Sequence, residues 1–174
     1  MDPSSSRAEE IERLLGYTFL DPSLLTEALT HGSYDRPSYK HLEFVGDSTL
    51  GLAVTKFLYS TDPNLDNVRV SFFYISALCN ANVSNEKLTR HNFYRFLRHN
   101  CAALDRAVSN FTESVTTRGE ENAGELSYGG GIRNACKVLT DIVESMAGAV
   151  YINCNFDLEV VWQVINLDIP LSPS

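Results

Sequence analysis

The stretch KVLTDIVESMAGAVY, residues 137–151, reads as a helix that has to lie at the centre of a helical fold. Val138, Leu139, Ile142, Val143, Met146, Ala147, Ala149 and Val150 leave almost no polar face, and a helix apolar nearly all round is covered by others. The pattern runs from Asn134 to Asn153. Asp141 and Glu144 interrupt it. Residues three apart share a helix face, so the two carboxylates point together. Like charges on a buried helix are costly unless something cationic compensates them.

A second segment, His41 to Tyr59, has the same anomaly. Glu43 and Asp47 are four apart among Leu42, Phe44, Val45, Leu50, Leu52, Ala53 and Phe57. Two helices that each bear a carboxylate pair are able to converge on one cluster of four, and oxygen-only clusters prefer hard cations such as Mg2+ or Mn2+. The alternative is that each pair sits at a helix end or on a wet face. A di-iron centre needs Glu-x-x-His pairs. The residues three beyond Glu43, Asp47, Asp141 and Glu144 are Gly46, Leu50, Glu144 and Ala147, so no histidine is offered.

The rest of the chain fits around these two helices. Its 174 residues and 19.4 kDa make one domain, and 44% apolar with 21% charged residues excludes a disordered or fibrous chain. The longest apolar run, Met146 to Ile152, is too short to span a bilayer, so no membrane role is expected. Ser6 and Glu9 form a capping box ahead of Ile11, Leu14 and Leu15, with Gly16 as the stop. Asp21-Pro22 starts a second helix carrying Leu24, Leu25, Ala28 and Leu29. Val68–Asn80, Ser84–His99, Ala102–Val115 and Asp157–Ile165 read as further helices, and residues 117–131 as the one long irregular stretch. The expectation is an all-α domain of about eight helices over residues 9–166, between a flexible segment 1–8 and a tail 167–174.

The formal net charge of -8 argues against holding nucleic acid or anionic membrane by bulk electrostatics. Carboxylates that hold metal ions bring their own counter-charge, so nucleic acid stays open. A local basic element interleaves Lys87, Arg90, Arg95 and Arg98 with Phe93, Tyr94 and Phe96, either as an RNA-binding patch or as the solvated face of an amphipathic helix. Cys79, Cys101, Cys136 and Cys154 contain no close pair, which speaks against structural zinc and for free, mostly buried thiols, with disulfides as the alternative. The first residues lack the apolar core of a signal peptide, so an intracellular site (cytoplasm, nucleus or organelle) is expected, while Asn82-Val-Ser and Asn110-Phe-Thr keep a secretory origin open.

LEFVGDSTL, residues 42–50, resembles the signature of the ribonuclease III family of double-stranded RNA endonucleases, in its eukaryotic, plant-like form. LTHGSY at 29–34, Gly124-Glu125-Leu126 with Gly129-Gly130, and residues 137–151 are similar to neighbouring family segments, so the resemblance covers residues 10–166. It implies the ribonuclease III endonuclease fold. It makes Glu43, Asp47, Asp141 and Glu144 the metal-binding catalytic residues, holding Mg2+ with Mn2+ able to substitute. Products would carry a 5′-phosphate and a 3′-hydroxyl. Lys137 would offset charge on the phosphate or the carboxylates, unless it is a solvated surface lysine. Phe44 would plug into a second copy, giving a homodimer whose two sites leave two-nucleotide 3′ overhangs, unless it is a core residue. Two features depart from the pattern. Lys40 stands where the family often has an acid, and no double-stranded RNA-binding domain follows before Ser174. RNA would then be gripped by the catalytic dimer itself, through Lys87, Arg90, Arg95 and Arg98, or with an accessory RNA-binding protein. The rival reading is a non-cleaving RNA-binding or dimerisation module on the same fold.

Overall fold

The computed structural model describes residues 3–61, 93–118 and 132–165, with side chains for 7–61, 93–110 and 137–165. Among these residues the protein is all-α, with six α-helices and no strand. The helices are α1 (Pro3–Leu15), α2 (Pro22–Ala28), α3 (Lys40–Thr61), α4 (Ala102–Arg118), α5 (Ile132–Asn153) and α6 (Leu158–Ile165), and a single 3-10 turn spans Phe93–Phe96. No helix among the described residues is long and apolar enough to cross a membrane.

Local sequence accounts for the helix ends. Gly16 takes a left-handed backbone, φ 64°, and the Tyr17 amide donates to the Glu12 carbonyl at 3.1 Å, closing α1 as a glycine stop does. Asp21 caps α2 by accepting the Ser23 amide at 2.9 Å, with Pro22 as the first helical residue. α1 starts at Pro3, ahead of the start that the Ser6 capping box marks.

The expected helix Ser84–His99 differs where it is described. Only Phe93–Phe96 turn, as 3-10 helix, and the chain then extends. Phe93, Phe96 and Leu97 are all buried. Arg98 finds its backbone partners across the fold: its amide donates to Leu29 and its carbonyl accepts from His31, at 2.8 and 2.9 Å. Those bonds, isolated as a parallel bridge to Thr30, replace the ones a helix would have made. The expected helix Val68–Asn80, Gly124-Glu125-Leu126 and Gly129-Gly130 lie outside the described residues. Cys101 and Cys154 are free and half-buried, less covered than expected, while Cys79 and the Cys136 side chain fall outside the described residues.

α3 and α5, each of 22 residues, form the centre. Their backbones nearly touch. A Cβ added at Gly46 would lie 1.7 Å from the Glu144 carbonyl oxygen, and one at Gly148 would lie 2.2 Å from that of Leu42. Only glycine permits this approach. Leu42, Leu50 and Val54 of α3 are buried with Ile142, Ala147, Ala149 and Val150 of α5 and Val161 of α6. The buried Ser145 hydroxyl lies 2.8 Å from the Ala28 carbonyl and so ties α2 to the same centre.

Candidate metal centre

The glycine contact decides what faces what. Gly46 follows Glu43 by three residues and precedes Asp47; Gly148 follows Glu144 by four. Closing the two backbones there sets the carboxylates of α3 against those of α5. Oxygens of Glu43, Asp141 and Glu144 lie within 4.8 Å of one another. Asp47 stands outside that tight group, but its charge acts on Glu144. All four expected carboxylates are thus gathered, three of them closely.

Asp141 is 2% exposed, and burial alone would push its carboxyl up. Three donors meet it there. Lys137 Nζ reaches Oδ1 at 2.8 Å, Lys40 Nζ reaches Oδ2 at 2.8 Å, and the buried Tyr39 hydroxyl donates to Oδ2 at 3.2 Å. The two ammonium groups hold Asp141 below the usual carboxylate range. In turn, the hydrogen bond to Asp141 holds the Lys137 ammonium above the usual lysine range, against its own burial. The same lysines pair with Glu43: Lys137 at 3.3 Å on Oε1, and Lys40 on Oε2. Each lysine therefore bridges Glu43 and Asp141. Burial, the Asp141 charge with its hydrogen bond, and Glu43 all raise the Tyr39 hydroxyl far above the ordinary tyrosine value, so it stays a neutral donor. The His31 ring packs on Tyr39, centroids 5.6 Å apart, bringing the LTHGSY segment to the rear of the site.

Glu144 is left differently. It is 8% exposed and has no ion-pairing ammonium of its own among the described residues. Burial, then Asp47, Asp141 and Glu43, push its carboxyl up to about 7. Hard oxygen donors converging from two helices, one of them forced toward protonation, make a site that a hard dication would relieve. The residues present therefore fit a metal ion of that class.

The other sequence candidates resolve unevenly. Lys137 is not a merely solvated surface lysine, since its ammonium sits on two buried or half-buried carboxylates. Phe44 is not a core residue; it is 75% exposed, and Leu52 and Tyr59 are exposed on the same side of α3. Lys87 and Arg90 lie outside the described residues. Arg95 is ion-paired with Glu10 and lies 4.5 Å over the Phe96 ring, and Arg98 lies 4.6 Å over Tyr34. Both arginines thus have partners within the chain, and neither is paired with the carboxylate cluster. Sequence reading missed the contributions of Tyr39, Gly46 and Gly148, and met Lys40 only as a departure from the resembled pattern. The i, i+3 spacing of Lys40 and Glu43 was a usable signal, as was a glycine inside each carboxylate-bearing helix.

Comparison with known proteins places this geometry. The Ribonuclease III domain family matches residues 40–155, which contain every carboxylate of the cluster. Ribonuclease 3-like protein 2 of Oryza sativa subsp. japonica is 49% identical over 163 residues, taking in 90% of this chain and 50% of that protein. Its namesake in Arabidopsis thaliana is 47% identical over 161 residues, 90% of this chain and 39% of that protein. The chain spans half or less of the length of these two relatives. A solved nuclease domain of Ribonuclease III from Campylobacter jejuni, described for flexibility in a region involved in dimer formation, shares the fold: TM-score 0.62 at 21% identity, over 91% of this chain and 95% of that one.

Proposed function

The chain belongs to the ribonuclease III family, and from that premise we propose that it is a metal-dependent endoribonuclease acting on double-stranded or hairpin RNA. The observation that carries the proposal is the convergence of Glu43, Asp141 and Glu144 within 4.8 Å, with Asp47 alongside. These four would hold Mg2+, with Mn2+ able to substitute. Such an ion, when bound, polarises the phosphodiester and makes water a better nucleophile. The reaction is hydrolysis. Water oxygen bonds to phosphorus, the bond to the 3′ oxygen breaks, and the fragments end in a 5′-phosphate and a 3′-hydroxyl.

The chain's own groups have distinct parts. Tyr39 holds the Asp141 carboxylate by its Oδ2, fixing the carboxylate's orientation. Lys137, between Glu43 and Asp141, holds the Asp141 carboxylate in its charged form and offers positive charge beside the scissile phosphate. Phe44, with Leu52 and Tyr59, offers an exposed apolar surface for a second copy of the chain. In a two-fold homodimer the two sites would each cut one strand, leaving two-nucleotide 3′ overhangs. RNA would be gripped by the dimer itself, or together with an accessory RNA-binding protein.

The test is a labelled hairpin incubated with pure protein, with and without Mg2+, and sequencing of both product ends. Mg2+-dependent cuts with 5′-phosphates are expected, and Glu144→Gln should bind RNA while losing cleavage. Wild-type protein that binds the hairpin yet leaves it intact in both Mg2+ and Mn2+ would point instead to a non-cleaving module.

A further inference from the structure

Lys40 sits where a lysine gains nothing from the helix. It opens α3, the end at which the helix dipole disfavours positive charge. It is 53% exposed, so no packing requirement holds it either. What holds it is the cluster: its ammonium pairs with Glu43 Oε2 and, at 2.8 Å, with Asp141 Oδ2. Lys137 occupies Oε1 and Oδ1 of the same two residues. All four oxygens of Glu43 and Asp141 are therefore taken by ammonium groups. A divalent ion that uses these carboxylates has to approach the same oxygens to within about 2.0–2.6 Å. An ammonium still bound to them would face a dication at close range.

We propose that Lys40 is a resident counter-cation of this centre, which holds Glu43 and Asp141 in the absence of metal, swings aside when a divalent ion binds, and so sets the ion concentration at which the centre fills. The proposal rests on reading the cluster as a metal centre. The half-exposed stem provides the retreat, since it lets the ammonium swing into solvent; in its paired position Lys40 Nζ also lies 5.0 Å from the centroid of the Tyr39 ring. Lys137 makes the matching pairs from α5, one turn before Asp141.

Mn2+ titration of the pure protein, followed by electron paramagnetic resonance of the free ion, tests this without any RNA. Lys40→Gln should tighten Mn2+ binding by roughly tenfold, a modest factor because the wild-type ammonium escapes into water rather than staying beside the ion. Lys40→Glu should tighten it further. Lys56→Gln, which removes an exposed lysine paired with Glu159, should change nothing. Thermal melts give a second readout: Mn2+ should raise the melting temperature of Lys40→Gln at lower concentration than that of wild type. Equal or weaker Mn2+ binding by Lys40→Gln, with wild-type binding intact, would overturn the role of Lys40 and leave the metal centre standing. Absence of Mn2+ binding by every protein at millimolar ion would overturn the metal centre and this role together.

Discussion

Gly46→Ala is the sharpest perturbation of the architecture that makes the site. The new methyl would sit 1.7 Å from the Glu144 carbonyl oxygen, 2.5 Å from its carbon and 2.9 Å from the Gly148 nitrogen. All three are backbone atoms in the middle of α5, so no side chain is able to turn away. Bringing the first contact out to 3.0 Å requires α3 and α5 to part by at least about 1.3 Å. A radial gap of about 0.5–1 Å already forfeits a quarter to a half of a van der Waals well. The packing that loosens is that of Leu42, Leu50, Ile142 and Val150. Overpacking of this kind costs about 1–3 kcal/mol, and the rigid neighbours place Gly46→Ala at the top of that range. At about 2–4 °C per kcal/mol for a chain of this size, the melting temperature should fall by roughly 6–12 °C. Mn2+ affinity should fall as well, because the same parting moves Glu43 away from Asp141 and Glu144. Circular dichroism melts report the first effect and metal titration the second. Gly32→Ala is the control, since its Cβ would meet only Ser38 Oγ at 3.8 Å. A Gly46→Ala melting temperature within about 2 °C of that control would refute the close-crossing argument, being well short of the smallest shift expected.

Other expectations follow from single groups. The Glu144 carboxyl has a folded value of about 7 against an ordinary 4.5, so the folded chain keeps this proton through a window in which the unfolded chain loses it. The stability it contributes is complete below about pH 4.5 and lost as pH rises through about 7. In chelator, Glu144→Gln should therefore exceed wild type in stability at about pH 8.5 by up to about 3 kcal/mol and match it near pH 4.5, and parallel pH profiles would show the reasoning wrong. Tyr39→Phe removes a hydrogen bond to a charged, buried acceptor and should cost about 1.5–3 kcal/mol in urea unfolding; a loss under about 0.5 kcal/mol would mean Tyr39 only packs. Phe44→Ala should leave monomer stability within about 0.5 kcal/mol, since the ring is exposed, yet weaken self-association by about 2 kcal/mol or more, and sedimentation of wild type as a monomer at micromolar concentration would count against the dimer.

Periodicity and local chemistry determined most of the fold. Capping residues and the glycine stop fall where the sequence places them at Asp21 and Gly16, because these effects act over a few residues. The apolar circumference of α5 required a central helix, and the carboxylates inside it required a compensating partner whatever the rest of the chain did. The same one-dimensional reasoning failed at Ser84–His99. Its described end gives up helical bonds for backbone partners at Leu29 and His31, and those long-range partners leave no trace in local pattern.

At the site, the sequence by itself determined which residues carry charge, and the tertiary structure decided how that charge is distributed. Phe44 belongs to an apolar run by sequence and to the solvent-facing side of α3 by packing. Glu43 and Asp141 lie far apart in the chain, on different helices, yet both share the same two lysines, while Glu144 shares neither. Lys40 is one charge among many in the sequence and the ion-pair partner of Glu43 and Asp141 in the fold. The reason is the distance at which the effects act. Hydrogen bonds and ion pairs depend on a few ångströms, and those separations exist only after Gly46 and Gly148 let two 22-residue helices close on each other.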